Sequence, residues 1–257
     1  MKERYKNMEV AIYVIIFIIG TLIGSFASLA TYRIPLKQDI LIKHSYCPVC
    51  KEKLVLKDLI PVFSYIFLRG KCSHCGEKIK IRYLVLEVVS GILFLLFVLS
   101  LNIDFAKLNL KEMILLLFIT IFFVTLVIVA GIDKENKKID SMVILFGIVV
   151  SILYSTYLLY LDSARNFYTL IVPLSAIVIY SINMYLVKAE YSKYIINFIT
   201  LVILSCMFAN LYVTLLAFIA TFITLVLYKI LGKSKPAIAY YYVIYFASFF
   251  IGYNFII

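Results

Sequence analysis

Two cysteine pairs, Cys47-Pro-Val-Cys50 and Cys72-Ser-His-Cys75, have the types and spacing to hold a metal. A CxxC turn sets two thiolates at roughly 3.5–4 Å on one side of an ion, and two such turns complete a tetrahedral Zn²⁺ site. Twenty-one residues lie between Cys50 and Cys72, close to zinc-ribbon spacing. Zinc with four thiolates carries two negative charges, which Lys51, Lys53, Arg69, Lys71 and Lys78 can offset. Disulfides are the alternative for these four thiols, but CxxC pairs make poor disulfide frameworks. Cys206 stands apart in an apolar run, as a packed thiol. His44 and His74 lie nearby, but four cysteines already fill the coordination shell.

Carboxylates offer a second chemistry. Two that share a proton can divide the work of a general base for water and a general acid. Asp133 follows Gly131-Ile132 and heads the turn Asp133-Lys-Glu-Asn-Lys-Lys-Ile-Asp140. Beyond Asp162 the chain has no aspartate, and Glu190 is its last acidic residue. These two make the candidate pair. The bland alternative is that both are solvated loop residues, Glu190 beside Lys188 and Lys193. Glu87 differs, lying about a turn inside an apolar segment, where a carboxylate pairs with a basic residue or serves a site at the membrane face.

Lipid must be the solvent for the elements that position these groups. Of the 257 residues 64% are hydrophobic and only 15% charged, with a mean hydropathy of +1.04, more apolar surface than a soluble domain can hide. Hydropathy places about eight spans, at Val10–Ala30, Leu84–Leu101, Ile114–Ile132, Met142–Leu161, Phe167–Val187, Tyr194–Phe208, Leu211–Tyr228 and Ala237–Ile256. The sixth is short, and it could join the seventh as one bent segment at Ala209-Asn210. The fold class is therefore an all-α polytopic membrane protein. An N-terminal domain, 1–101, comprises span one, a polar loop over 32–83 and span two, and a C-terminal membrane domain covers 102–257.

The net charge of +11 reads as topology rather than as nucleic-acid binding, since Lys and Arg mark cytoplasmic loops. Residues 31–83 hold eleven basic residues, including Arg33, Lys43, Lys71 and Arg82. The turns with Lys134/Lys137/Lys138, Lys188/Lys193 and Lys229/Lys233/Lys235 fall on the same side. Lys107, Lys111, Arg165 and the tail residues Lys2, Arg4 and Lys6 oppose them, nineteen against six. The cysteine loop and the candidate carboxylates should thus face the cytoplasm and both termini the outside. The N-terminal segment imitates a secretory signal, but it is long enough to span and reads as an uncleaved first helix.

The 32–83 loop is too small for a large core, so metal would supply much of its folding energy. Its apolar run, Leu59 to Leu68, either folds against the ribbon or lies on the membrane surface. Gly20-Thr-Leu-Ile-Gly24 permits close helix packing. Asn183 is suited to a hydrogen bond between helices. No repeat or low-complexity tract stands out.

In order, the chain has Gly24-Ser25-Phe26, Tyr32-Arg33-Ile34-Pro35, the first CxxC, Leu59-Ile60-Pro61-Val62-Phe63-Ser64-Tyr65, Arg69-Gly70-Lys71 with the second CxxC, Arg82-Tyr83 and Glu87. Over roughly residues 20–95 this resembles the N-terminal half of bacterial type IV prepilin peptidases, polytopic aspartyl proteases of which many also methylate the processed pilin. The resemblance implies leader cleavage from a type IV prepilin or pseudopilin precursor at the cytoplasmic (inner) membrane. It also implies methyl transfer from S-adenosylmethionine, with Gly70, Lys71 and Glu87 in the methyl-transfer region, and Asp133 as the first catalytic aspartate.

The C-terminal half departs from the pattern. The family's D-x₆-P-D segment ends here in Asp140-Ser141, and its G-x-G-D-x-K signature is replaced by Val187-Lys188-Ala189-Glu190. Ser28 stands where the family usually has Asn. Glu190 is the provisional second catalytic residue, its carboxyl displaced by one methylene. The rival readings are a relative that keeps the ribbon and methyl transfer without cutting, and a non-enzymatic scaffold or transporter.

Overall fold

The computed structural model describes residues 2–40, 44–47, 49–103, 105, 108–161, 167–231 and 236–256. Lys43, Lys107, Asp162, Arg165, Lys233 and Lys235 lie outside the described residues, as do the side chains of Lys2, Arg4 and Lys6. Nearly everything described is helical, and the only β pairing among the described residues is two isolated bridges. The chain divides into two compact units, Met1–Leu108 and Asn109–Ile257.

The first unit contains α1 (Lys2–Arg33), a 3₁₀ turn at Leu56–Asp58, the short α2 (Phe63–Phe67) and α3 (Arg82–Leu99). Glycine lets α1 and α3 approach closely. A Cβ on Gly20 would lie 2.8 Å from Gly91 Cα, and one on Gly24 would lie 2.7 Å from Ser90 Cβ. The small-xxx-small spacing therefore serves packing within the unit. Arg33 ends α1 and is only 2% exposed. Its guanidinium donates to the Asp39 and His44 carbonyls, both at 3.0 Å, which ties the start of the polar loop to the helix end.

The second unit is built from α4 (Leu110–Asn136), α5 (Ser141–Leu161), α6 (Phe167–Leu186), α7 (Glu190–Phe208), α8 (Leu211–Ile230) and α9 (Ile238–Ile256). Asn109 and Glu112 form a reciprocal capping box that starts α4. Lys137, in the left-handed conformation at φ 55°, ends it by donating to the Asp133 carbonyl. Asp140 accepts from the Met142 amide at 2.8 Å and so starts α5. Asn210 caps α8 through the Tyr212 amide, so α7 and α8 are two helices rather than one bent segment. Stacked rings of Phe122, Phe208 and Tyr154 fill the core, with centroids 4.1 and 5.0 Å apart.

Among the described residues, seven helices are long and apolar enough to cross a membrane. The eighth expected span also forms a helix, α9, which carries no charged residue and is rich in tyrosine, at Tyr240, Tyr241, Tyr242, Tyr245 and Tyr253. Large apolar side chains such as Leu117, Phe146, Leu174 and Phe222 stand exposed, as a lipid solvent requires.

Candidate metal centre and buried aspartate

Each cysteine pair sits in a knuckle of the same construction. In the first, the Cys47 amide donates to Glu52 O and the Lys51 amide to Cys47 O; in the second, Cys72 donates to Glu77 O and Gly76 to Cys72 O. The flanking bridges, Tyr46 with Lys53 and Lys71 with Lys78, have identical offsets from the first cysteine. The sequences Cys47-Pro-Val-Cys-Lys-Glu-Lys53 and Cys72-Ser-His-Cys-Gly-Glu-Lys78 are therefore a short structural repeat. Sequence reasoning missed it, although the shared C-x-x-C-x-E-K pattern carries the signal. Gly76 takes φ 72°, and Lys51 occupies the matching position at φ 63° despite its Cβ.

The two knuckles bring all four thiols together. The Sγ atoms of Cys47, Cys50, Cys72 and Cys75 lie within 4.8 Å of one another, with Cys47 and Cys75 3.9 Å apart. Tetrahedral bonds of about 2.3 Å place sulfurs at about 3.75 Å, so the set fits a metal ion such as zinc. The separation is that of free thiols, not of a disulfide. The Cys50 amide, outweighing burial, draws the Cys47 thiol down to about 7. The Glu52 amide pulls Cys50 the same way, but burial and the neighbouring Cys47 and Cys75 sulfurs push it up to about 12. The Cys47–Cys50 pair thus favours losing a first proton and resists losing a second.

Gly70 enters the second knuckle at φ 65°, and a Cβ there would stand 2.9 Å from the Tyr65 hydroxyl. Its amide donates to Tyr65 O and its carbonyl accepts from the Ile79 amide, each at 2.8 Å. Lys71 is exposed beside it. Glu87, on the second turn of α3, accepts from the Val62 amide at 2.7 Å.

In the second unit Asp133 is fully buried on the last full turn of α4. One carboxyl oxygen accepts from the Tyr194 hydroxyl at 2.9 Å, the other from the Tyr240 amide at 3.0 Å. The same Tyr194 hydroxyl accepts from the Ile238 amide at 2.8 Å. An acidic group at a helix C-terminus is disfavoured by the helix dipole, but here it faces the first turn of α9, whose free amides point at it. Lys134 adds a second grip, with Nζ 3.3 Å from the Tyr240 hydroxyl and 4.7 Å from its ring centre.

Glu190, by contrast, is the exposed first residue of α7. The buried face of that helix is carried by Asn197, Leu201, Leu204 and Phe208, with Tyr194 one turn before Asn197. Asn183 donates to Asn197 Oδ1 at 2.6 Å, which is the inter-helix bond its position suggested. Asn197 in turn donates to Ile139 O and Ser141 Oγ, at 3.0 and 3.1 Å. Sequence reasoning missed the roles of Tyr194 and Asn197. Their i, i+3 spacing was readable, but Tyr194 reaches a carboxyl 61 residues away. Cys206 is half-buried and its thiol meets Thr214 Oγ1 at 3.4 Å.

Comparison with known proteins bears on the first unit. Residues 18–101 match the Bacterial Peptidase A24 N-terminal domain. The chain is 42% identical over 80 residues to a prepilin leader peptidase/N-methyltransferase of Bacillus subtilis, covering 31% of this chain and 32% of that protein. Proteins of the same name from Myxococcus xanthus and Vibrio cholerae are each 38% identical, over 81 and 86 residues. Those matches cover 32% and 30% of this chain, and 24% and 34% of the relatives. The chain thus spans about a third or less of the length of the curated relatives it matches. No solved structure matches it.

Proposed function

We propose that this chain is a multi-pass protein of the bacterial cytoplasmic membrane that processes type IV prepilin-like precursors, as the name prepilin leader peptidase/N-methyltransferase describes for its relatives. The observation that carries this reading is the four-thiol centre within the matched segment 18–101. Zinc held by Cys47, Cys50, Cys72 and Cys75 would be structural, fixing the loop that carries Gly70 and Lys71. In the methyl-transfer half, Gly70, Lys71 and Glu87 form the region that works with S-adenosylmethionine. The basic loops face the cytoplasm, where the precursor's leader is presented.

Leader cleavage assigns Asp133 and Glu190 as the carboxyl pair that activates water and protonates the leaving amine. For this, Glu190 must leave solvent and Asp133 must exchange at least one of its two present donors for water. A second reading is favoured by those same bonds. With Asp133 fully buried and both oxygens engaged, the carboxyl is a structural clasp, and the chain handles the precursor without cutting it.

Co-expression with a prepilin-like precursor decides between them, with leader removal read by mass and N-methylation read on the new terminus. If the pair cuts, Asp133→Asn and Glu190→Gln each abolish leader removal while the protein stays in the membrane. Leader removal that survives Asp133→Asn sinks the catalytic assignment. An uncut precursor with wild-type protein supports the second reading. Failure of this chain to bind or modify any prepilin-like precursor would overturn both.

A further inference from the structure

Between the cysteine knuckles runs an apolar segment that precursor processing leaves without a task. Leu56, Ile60, Phe63, Ile66 and Phe67 are all exposed, Leu56 by 86% and Phe67 by 79%. The rings of Phe63 and Phe67 stack on one another with centroids 6.4 Å apart. Burying such a side chain fully gains about 1.5–3 kcal/mol, so water is a poor solvent for this patch.

The height of the segment along the first unit is fixed by one hydrogen bond. Glu87 accepts from the Val62 amide at 2.7 Å, and Glu87 is the sixth residue of the 18-residue span Arg82–Leu99. At about 1.5 Å per residue that helix is about 27 Å long, slightly less than the roughly 30 Å of a hydrocarbon core. It has no turn to spare outside the membrane. Its first turns must therefore stand at the boundary between headgroups and acyl chains, with Glu87 about 7.5 Å along the axis from Arg82. Val62, bonded to Glu87, is held at the same depth. The Val62 backbone is itself strained, at φ 65° and ψ −54°, with the Phe63 amide donating to Pro61 O across a γ-turn. Such a turn persists where something over-determines it, and the Glu87 bond does so here.

The other end of the segment is wired to the second knuckle. The Tyr65 hydroxyl donates to Ile79 O at 3.3 Å, and the Tyr65 carbonyl accepts from the Gly70 amide. Exposed Lys57 and Arg69 flank the run from Ile60 to Phe67, a pattern suited to phosphate headgroups above an apolar boundary.

The geometry points to residues 56–69 as an interfacial foot: the segment lies in the headgroup–acyl boundary of a phospholipid surface and holds the second cysteine knuckle at a set height above the bilayer. Glu87 is its positioning residue. The assignment holds whether the chain cuts, methylates or does neither.

The chain contains no tryptophan, so Phe67→Trp gives a single tryptophan at the tip of the foot, excited selectively at wavelengths the 21 tyrosines do not absorb. The full chain would be reconstituted in phosphatidylglycerol/phosphatidylcholine vesicles whose acyl chains carry bromine near the headgroup, with Glu77→Trp on the second knuckle as a solvent-exposed reference. Phe67→Trp should lose roughly half its emission to brominated lipid, since an interfacial apolar face sits about 5–10 Å inside the boundary. Glu77→Trp should respond to acrylamide instead. Quenching of Phe67→Trp by acrylamide but not by bromolipid would place the patch in water and overturn the proposal. Protection from both quenchers would mean that protein covers the patch, which overturns it equally. Adding Glu87→Ala should shift Phe67→Trp from lipid quenching toward acrylamide quenching, and unchanged quenching would remove the positioning role of Glu87.

Discussion

The clasp around Asp133 makes a quantitative claim about coupling between Asp133 and Tyr194. Asp133→Ala removes the acceptor for two part-buried donors, the Tyr194 hydroxyl and the Tyr240 amide. A fully buried donor left unpaired costs about 1–3 kcal/mol, and because both donors are only part-buried the variant should lose about 2–4 kcal/mol, the lower part of the two-donor range. Tyr194→Phe removes one of the same bonds and also strips the Ile238 amide of its acceptor, for about 1–3 kcal/mol. The Tyr194–Asp133 bond is counted in both single variants. The double variant should therefore fall short of the sum by about the worth of one hydrogen bond, roughly 1–1.5 kcal/mol. Asp133→Asn is the milder control. Its oxygen can still accept from Tyr240 while its amide donates to the Tyr194 hydroxyl, so it should cost less than Asp133→Ala. Reversible unfolding in mixed micelles, followed by circular dichroism, measures all four proteins. Additivity within about 0.3–0.5 kcal/mol would refute the clasp, because uncoupled sites behave that way.

The repeated knuckles predict that Lys51→Gly raises the resistance of the cysteine loop to proteolysis, by relieving a left-handed backbone that costs an L residue about 1–2 kcal/mol. Gly24→Leu should destabilise the first unit by about 1–3 kcal/mol or more, since its Cβ alone would stand 2.7 Å from Ser90 Cβ; a lowered unfolding midpoint checks it. Cys72→Ser, or a strong chelator, should remove bound zinc measured by elemental analysis and open the loop to protease, while helix content elsewhere stays constant.

Much of the architecture was legible because its causes are local. Long apolar runs such as Ile114–Ile132 and Met142–Leu161 can only be satisfied as helices in lipid, and they became α4 and α5. The two CxxC pairs were readable as one cluster because their spacing suits a shared tetrahedral centre, and their four thiols do come together. The eighth apolar run likewise became a helix, α9, whose tyrosines at 240–242, 245 and 253 set it apart from the aliphatic spans.

The surroundings of Asp133 were not legible, since they come from segments distant in sequence. A turn that begins with aspartate reads as solvated, yet here the carboxyl is buried because the start of α9 supplies a donor and α7 supplies Tyr194. Glu190, promising in sequence as the last acid of the chain, is exposed, while the residue four positions later reaches the carboxyl. The lipid solvent, the helices and the grouping of the four cysteines follow from composition and spacing. Tertiary structure alone decided which donors meet Asp133, and that Glu87 accepts from the Val62 amide 25 residues away. A hydrogen bond is directional and short-ranged, so its partners exist only once the helices have packed.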